Sequence, residues 1–206
     1  MTNETARIEA FSDGVFAVAI TLLIFQMRVP PHEPPGGLRV ALINLWPSYL
    51  AFLASFMTIG VMWLNHHRLF SLIEKRDDGL ILLNLLVLLV LTWFPFPTAL
   101  AAEHLRGPHD DQRTAALVYS ITLLVISFVF NALWRYALRI GAVGHHVDVS
   151  RITRQFAFGP ILYAALVGTA LVSADWCLIF SVFIALYFAL PPSLWRKGKL
   201  LAVDDG

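Results

Sequence analysis

Three polar residues stand at the start of an apolar stretch near the N-terminus. Arg7, Ser12 and Asp13 come just before an uncharged run that continues to Met27. Groups of this kind at the mouth of a membrane helix are costly unless they pair or face water. Their chemistry is hydrogen bonding and ion pairing, so we expect partners for them on other helices or on an adjacent subunit.

The spacing of the following residues predicts a helix with two different faces. At about 100° per residue, one stripe is formed by Arg7, Phe11, Gly14 or Val15, Val18, Leu22 and Phe25, with Thr21 beside it. Ser12 and Asp13 point away from this stripe, toward neighbouring helices. The stripe fits a pore lining, but also plain packing against helices or lipid, and Ser12 and Asp13 also fit a helix N-cap. Gly14 costs about 1 kcal/mol in a helix interior, and close helix approach would explain it.

The composition is that of a membrane protein. Apolar residues make up 58% of the 206 residues, whereas soluble domains have roughly 45–50%. Long apolar stretches predict six membrane helices in a single all-α domain covering residues 1–206. Their approximate bounds are 4–27, 42–72, 79–102, 113–138, 155–172 and 176–195. Pro95 and Pro97 predict a kink or end in the third helix.

Basic residues predict the orientation. With six spans, eleven of the fifteen Lys and Arg residues fall on the side that holds both termini. The positive-inside rule then places both termini in the cytoplasm of a protein of the cell membrane. The net charge of +1 argues against a nucleic-acid partner. Cys177 stands alone, and the adjacent pairs His66-His67 and His145-His146 lack the spacing of two metal ligands on one helix face, so we expect neither a disulfide nor a metal site.

Five polar or aromatic residues of the second and third predicted helices lie at about the depth of Ser12 and Asp13. They are Trp63, Asn65, His66, His67 and Asn84. We hypothesise that Arg7, Ser12 and Asp13 form hydrogen bonds with some of Trp63, His66, His67 and Asn84 and that this network fixes the angle of the first helix. Adjacent residues point about 100° apart, so we expect at most one histidine to face that helix. Alternatively, both histidines extend to the membrane interface beside Arg68.

The motif Arg7-x-x-x-Phe11-Ser12-Asp13-Gly14, with its sequel Val15-Phe16-Ala17-Val18-Ala19-Ile20-Thr21-Leu22-Leu23, resembles the signature of the transmembrane protein 175-like, lysosomal-type potassium channels. The chain is similar in length to their short prokaryotic members. The resemblance implies a homotetramer in which the first helix of each subunit surrounds a central pore. It also implies constriction layers at Val18, Leu22 and Phe25, with Val18 nearest the cytoplasm, and Thr21 beside the conduction path. Val18 and Phe25 differ in size from the isoleucine or leucine common in the family.

The predicted function is a potassium-preferring cation channel whose partners are its own copies, the bilayer and permeant K⁺ or other monovalent cations, with no cofactor. The chain has no Thr-Val-Gly-Tyr-Gly loop, so the carbonyl filter of ordinary potassium channels is absent and selectivity should be modest. The resemblance implies a hydrophobic constriction formed by the first helix in its place. The alternative is a proton-conducting or proton-coupled transporter, since Asp13 and the histidines could relay protons. An enzyme is not expected, because the sequence lacks the common nucleophile, zinc-protease and phosphate-loop motifs.

Overall fold

The computed structural model describes residues 3–144 and 149–189, and these residues are almost entirely helical. Their helices are, in chain order, α1 (Asn3–Leu22), a 3-10 helix (Leu23–Gln26), α2 (Gly37–Asn44), α3 (Trp46–Phe70), α4 (Asp78–Trp93), α5 (Pro95–His104), α6 (His109–Arg139), α7 (Val149–Ala170) and α8 (Ala174–Ala189). The predicted all-α class is confirmed.

Four helical segments of the described chain are long and apolar enough to cross a membrane. They are Thr5–Gln26, Trp46–Phe70, Asp78–His104 and His109–Arg139. The apolar helix α8 is shorter. The presence of six membrane spans and the side of the membrane on which the termini lie therefore stay predictions. His145, His146, the part of the sixth predicted span after Ala189 and the basic residues that follow this span lie outside the described residues.

Prolines divide two of the predicted helices. The second was expected to be continuous from about residue 42, but α2 ends at Asn44 and α3 begins at Trp46. Pro47 lies in the first turn of α3, where its missing N–H would be unpaired in any case. The third predicted helix breaks between α4 and α5, in agreement with the expected kink: Pro95 has no N–H for the Leu91 carbonyl, which accepts from Phe94 instead at 3.0 Å.

Helix α6 forms the centre of the core, and α1 lies at its edge. Tyr119, Leu123 and Trp134 of α6 are fully buried, and α6 contacts α4, α5, α7 and α8. Helix α1 packs mainly on α3 and α4. This arrangement positions the candidate site, because one face of α1 is held by two helices while its opposite face contacts little of its own chain.

Two loops at one end of the bundle are joined through their backbones. Ile73, after α3, and Val143, after α6, form an isolated antiparallel bridge. The Glu74 N–H donates to the Ala142 carbonyl at 2.7 Å, and the Gly144 N–H donates to the Leu72 carbonyl at 3.3 Å.

Beside this loop bridge, the Tyr136 hydroxyl donates to Asp77 at 2.7 Å. This bond and one from the Leu80 N–H keep the pKa of Asp77 below its ordinary value. A side chain at Gly79 would collide with Tyr136, so glycine permits the approach of α6 to the start of α4. The α3–α4 turn is therefore tied to α6 and to the loop that follows it.

A proline inside α7 removes one helical hydrogen bond, and a side chain of α6 replaces it. Pro160 cannot donate to the carbonyl four residues earlier, which is that of Phe156. The Asn131 amide donates to this carbonyl at 2.9 Å. An unpaired carbonyl in an apolar interior is costly, so Asn131 and Pro160 should be energetically coupled.

We expect Asn131→Leu to lower the free energy of unfolding by about 1–2 kcal/mol, because the Phe156 carbonyl loses its donor. In the double variant with Pro160→Ala, the backbone N–H of the introduced alanine can satisfy that carbonyl, so the loss should be smaller. Denaturant unfolding of wild type, both single variants and the double variant in detergent micelles measures the coupling. Strictly additive effects would show that the two residues are independent.

Candidate functional site

Helix α1 has one buried and one exposed face. Ser12, Phe16 and Ala19 are fully or almost fully buried on the side of α1 that packs on α3 and α4, and Leu23 is buried in the following 3-10 helix, which packs on α3 and α5. The opposite face carries large apolar side chains that are exposed in the single chain: Phe11 (58%), Val18 (56%), Leu22 (40%) and Phe25 (78%). We call these four residues the α1 stripe. Several exposed apolar residues in one continuous row indicate a surface that meets something other than water.

The C-terminal part of the stripe departs from the regular helix that the sequence predicted. The α-helix ends at Leu22, and Phe25 lies in the 3-10 helix that continues it. A 3-10 helix advances about 120° per residue instead of 100°, so Phe25 is rotated from the position expected of it. The exposed Thr21 hydroxyl donates to the Val18 carbonyl at 2.9 Å, and its oxygen keeps a lone pair on the exposed side.

A chain of buried hydrogen bonds connects α1, α4 and α3. The Ser12 hydroxyl donates to the Ile8 carbonyl at 2.9 Å, and it accepts from the Asn84 amide at 3.0 Å. The carbonyl oxygen of Asn84 lies 2.8 Å from Nε2 of His66. Ser12, Asn84 and His66 are each at most 1% exposed. Because each contact occupies a buried polar group, the three side chains fix how the three helices pack.

The directions of these bonds assign the tautomer of His66. Ser12 has one hydroxyl proton and uses it on Ile8, so Asn84 must donate to Ser12 with its amide nitrogen. The oxygen of Asn84 then faces His66, whose Nε2 must carry a hydrogen. Nδ1 of His66 has no hydrogen-bond partner among the described residues. The imidazole is also enclosed by aromatic rings, with Phe70 stacked at 4.4 Å and Phe16 at 5.2 Å between centroids.

We call the Ser12–Asn84–His66 chain of bonds the first anchor of α1. A second anchor, on the neighbouring side of the helix, joins α1 to α3. The Trp63 indole N–H donates to Asp13 at 2.8 Å. One turn farther along α3, Nδ1 of His67 lies 2.6 Å from a carboxylate oxygen of Glu9, and the rings of Trp63 and His67 are stacked at 6.0 Å. Helix α1 is therefore held at two depths on α3 and at one depth on α4.

The expectation that only one histidine would face α1 is wrong. His67 reaches Glu9, while His66 contacts Phe16 and bonds to Asn84. Both can do so because α1 packs on α3 and α4 together, and the His66 ring lies where the three helices meet. Glu9 was missed in the sequence, although it lies three residues before Ser12 and therefore on the same helix face.

Two motif residues are not joined to this network within the single chain. Arg7 has neither a hydrogen bond nor an ion pair among the described residues, and it lines an open groove with Phe11 and Arg76. At Gly14, an added Cβ would meet no atom within 4 Å. The helices of one chain therefore do not require glycine at this position, and a close approach would have to come from another copy.

Comparisons with known proteins match this architecture. The family model of the endosomal/lysosomal potassium channel TMEM175 matches residues 7–95. A potassium channel of Chamaesiphon minutus is 48% identical, over 91% of this chain and 95% of that protein. The chain belongs to the TMEM175 family. A crystal structure of a lysosomal potassium-selective channel TMEM175 homolog from the same organism superimposes with a TM-score of 0.84 at 46% identity, covering 91% of this chain and 97% of that one.

A more distant TMEM175 relative carries a different description. The endosomal/lysosomal proton channel TMEM175 of Gallus gallus is 38% identical over 64% of this chain, which corresponds to 28% of that longer protein. The region matched by the TMEM175 family model runs from α1 to the start of α5. It therefore includes the α1 stripe and both anchors.

Proposed function

We propose that the chain is the subunit of a potassium-preferring cation channel of the cell membrane. The observation that carries the proposal is the α1 stripe: a helix held by buried polar bonds on one side presents a row of exposed apolar residues on the other. Relatives described as potassium channels at 46–48% identity support the same function. The cytoplasmic position of both termini follows from the distribution of basic residues.

The pore requires several copies, because one chain contributes one α1 stripe. Four copies related by rotation would place Val18, Leu22 and Phe25 in successive apolar rings around a central axis. Such rings can control conduction by expelling water from the constriction. Thr21 would offer its oxygen beside this path. The proposed channel is therefore a homotetramer with a hydrophobic constriction and with no carbonyl filter.

The two polar anchors give the constriction a fixed width in this proposal. A rotation of α1 would have to break the Asn84–Ser12 bond or the Trp63–Asp13 bond. Both bonds lie about one or two turns from Val18, so a small change in their geometry would displace the first ring. Helix angle and pore radius are thus coupled through four side chains and the Glu9–His67 contact.

Proton conduction is the second candidate function. Glu9 and His67 form a half-buried titratable pair beside α1, and His66 adds a buried imidazole. The description of the Gallus gallus relative as a proton channel favours the same candidate. Protons would then move along side chains of the anchors, whereas K⁺ would move along the α1 stripe.

The reversal potential separates the two candidates. Purified protein is placed in planar bilayers with potassium on one side and sodium on the other at equal pH. We expect a passive current that reverses toward the potassium equilibrium potential. A reversal potential that follows an imposed pH difference and ignores the potassium gradient would support proton conduction. Intact tetramers that carry no current would contradict both candidates.

Trp63→Phe tests the anchor on α3. Phenylalanine keeps an aromatic ring to stack on His67 but removes the N–H that Asp13 accepts. We expect a loss of about 0.5–2 kcal/mol in stability and a changed open probability in single-channel records. Asp13→Asn is the matched variant, because an amide oxygen still accepts from Trp63; it should be milder in stability. A normal tetramer with unchanged currents for both variants would show that this anchor has no role in the pore.

A further inference from the structure

Four helices on the side of α3 away from α1 enclose a cavity of about 60 Å³. Its walls come from α3, α6, α7 and α8, and the cavity is partly open. One water needs about 10–15 Å³ of such space, so the cavity admits several non-hydrogen atoms. The thirteen described residues of its wall are all uncharged, and aromatic side chains and Met62 form much of it. A ligand held there must be small, neutral and largely apolar.

A buried hydroxyl on this wall lacks a partner. Ser127 is 8% exposed, and its oxygen has no hydrogen bond among the described residues. The serine and threonine hydroxyls of the preceding turns of α6 are satisfied within the helix: Ser120 donates to the Leu117 carbonyl and Thr122 donates to the Val118 carbonyl. The Ser127 oxygen instead lies against Gly159, where a Cβ would approach it to 3.0 Å. Ser127 lines the cavity, and rotation about its Cβ–Oγ bond lets the hydroxyl hydrogen point into the cavity.

An amide on the opposite wall supplies a complementary group. Asn65 uses its nitrogen to donate to the carbonyls of Val61 at 3.0 Å and Phe188 at 3.3 Å. Its oxygen is left as an acceptor without a partner in the described part of the chain. The cavity therefore combines an acceptor on α3 with a hydroxyl on α6. A ligand hydroxyl matches both, because it donates and accepts at once.

We propose that this cavity binds the hydroxyl end of a small neutral alcohol, with Asn65 accepting from it and Ser127 donating to it. The apolar tail would contact Phe130 and Phe188 and leave through the opening if it is long. Charged amphiphiles are disfavoured because no charged residue lies on the wall within the described part of the chain.

The cavity and the anchors of α1 lie on different faces of the same stretch of α3. Met62 and Asn65 face the cavity, whereas Trp63, His66 and His67, in the same stretch of α3, hold α1 and α4. An alcohol that displaces this stretch would therefore change the position of α1. This regulatory consequence rests on the proposed channel function, while binding itself does not.

A photoreactive straight-chain alkanol carrying a diazirine tests the site on full-length protein in lipid vesicles. We expect light-dependent labelling of cavity-wall residues, found by peptide mass spectrometry and suppressed by excess hexanol. Ser127→Ala should raise the half-saturating concentration about fivefold, the value of one ordinary hydrogen bond, without lowering stability. Ser181→Ala is the matched control, because that buried hydroxyl is satisfied within α8.

Each result decides a separate point. Labelling confined to exposed residues outside the cavity such as Leu82 and Ile161, or equal labelling of wild type and Ser127→Ala, would overturn the proposal. Saturable labelling of the cavity in protein that carries no current would support the site and count against the channel function. In conducting protein, hexanol should change the potassium current of wild type but not that of Ser127→Ala; equal effects on both would overturn the regulatory consequence.

Discussion

Replacing Leu22 with asparagine should increase the potassium conductance at least about tenfold. In the proposed tetramer the change removes four apolar side chains from one ring and adds four amides that hold water. A tenfold increase in conductance corresponds to lowering the free-energy barrier to conduction by about 1.4 kcal/mol. Hydrating the constriction should lower the barrier by this amount or more. The measurement is the current at fixed potential in bilayers that contain the same number of channels.

We also expect Leu22→Asn to weaken the selectivity for potassium over sodium. A wider, hydrated ring lets sodium pass with its water shell, so the reversal potential between potassium and sodium should move toward zero. Leu82→Asn on α4 is the matched control, because Leu82 is exposed (66%) but lies outside the α1 stripe. Equal currents for wild type and Leu22→Asn, or an equal increase in the control, would remove the α1 stripe from the conduction path.

Replacing Asn84 with leucine should destabilise the fold and disturb the pore together. Leucine has a similar volume but no polar group, so the Nε2 hydrogen of His66 becomes unpaired in a buried site and Ser12 loses its donor. A buried polar group without a partner costs about 1–3 kcal/mol, and hydrogen bonds between membrane helices lie toward the lower end of that range. We expect a lower midpoint of thermal unfolding and fewer tetramers on size-exclusion chromatography.

Asn44→Leu provides the comparison for this variant. Asn44 makes one long contact of 3.5 Å to Arg106 at the surface, so the same chemical change should have little effect there. Ser12→Ala should fall between the two, because it removes the acceptor for Asn84 but leaves no buried hydroxyl behind. Wild-type stability and currents in Asn84→Leu would show that the buried chain of bonds does not hold α1.

The sequence predicts the helices and the composition of the α1 faces because both depend on local spacing. The apolar stripe, the inward direction of Ser12 and the break at Pro95 follow from one turn of helix or one missing N–H. The partners do not follow, because they depend on how distant helices pack. Glu9 was not among the predicted network residues, and only the approach of His67 across the helix interface makes it part of the anchor.

Other differences between the structure and the sequence-based prediction also arise from how segments are placed relative to one another. The separate helix α2 arises where two glycines with positive φ, Gly36 (+77°) and Gly37 (+83°), turn the chain before Pro47 forces a new helix start. Both signals are visible in the sequence, but their combined effect on direction is not. The bond from Asn131 to the Phe156 carbonyl was likewise unforeseen, since it requires α6 and α7 to lie side by side.

The backbone bridge between Ile73 and Val143 has a consequence for biosynthesis. During translation, the ribosome produces Val143 only after α4, α5 and α6. Until then, the Leu72 carbonyl and the Glu74 N–H of the α3–α4 turn lack their partners in the bridge and are hydrated. Chains released before residue 143 would lack this closure even if their earlier helices had inserted. The bridge thus marks the point in synthesis at which the α3–α4 turn is closed, whereas α3 still lacks α8, which packs on it and is made later. Chains that end before residue 143 should expose apolar surface and be prone to aggregate.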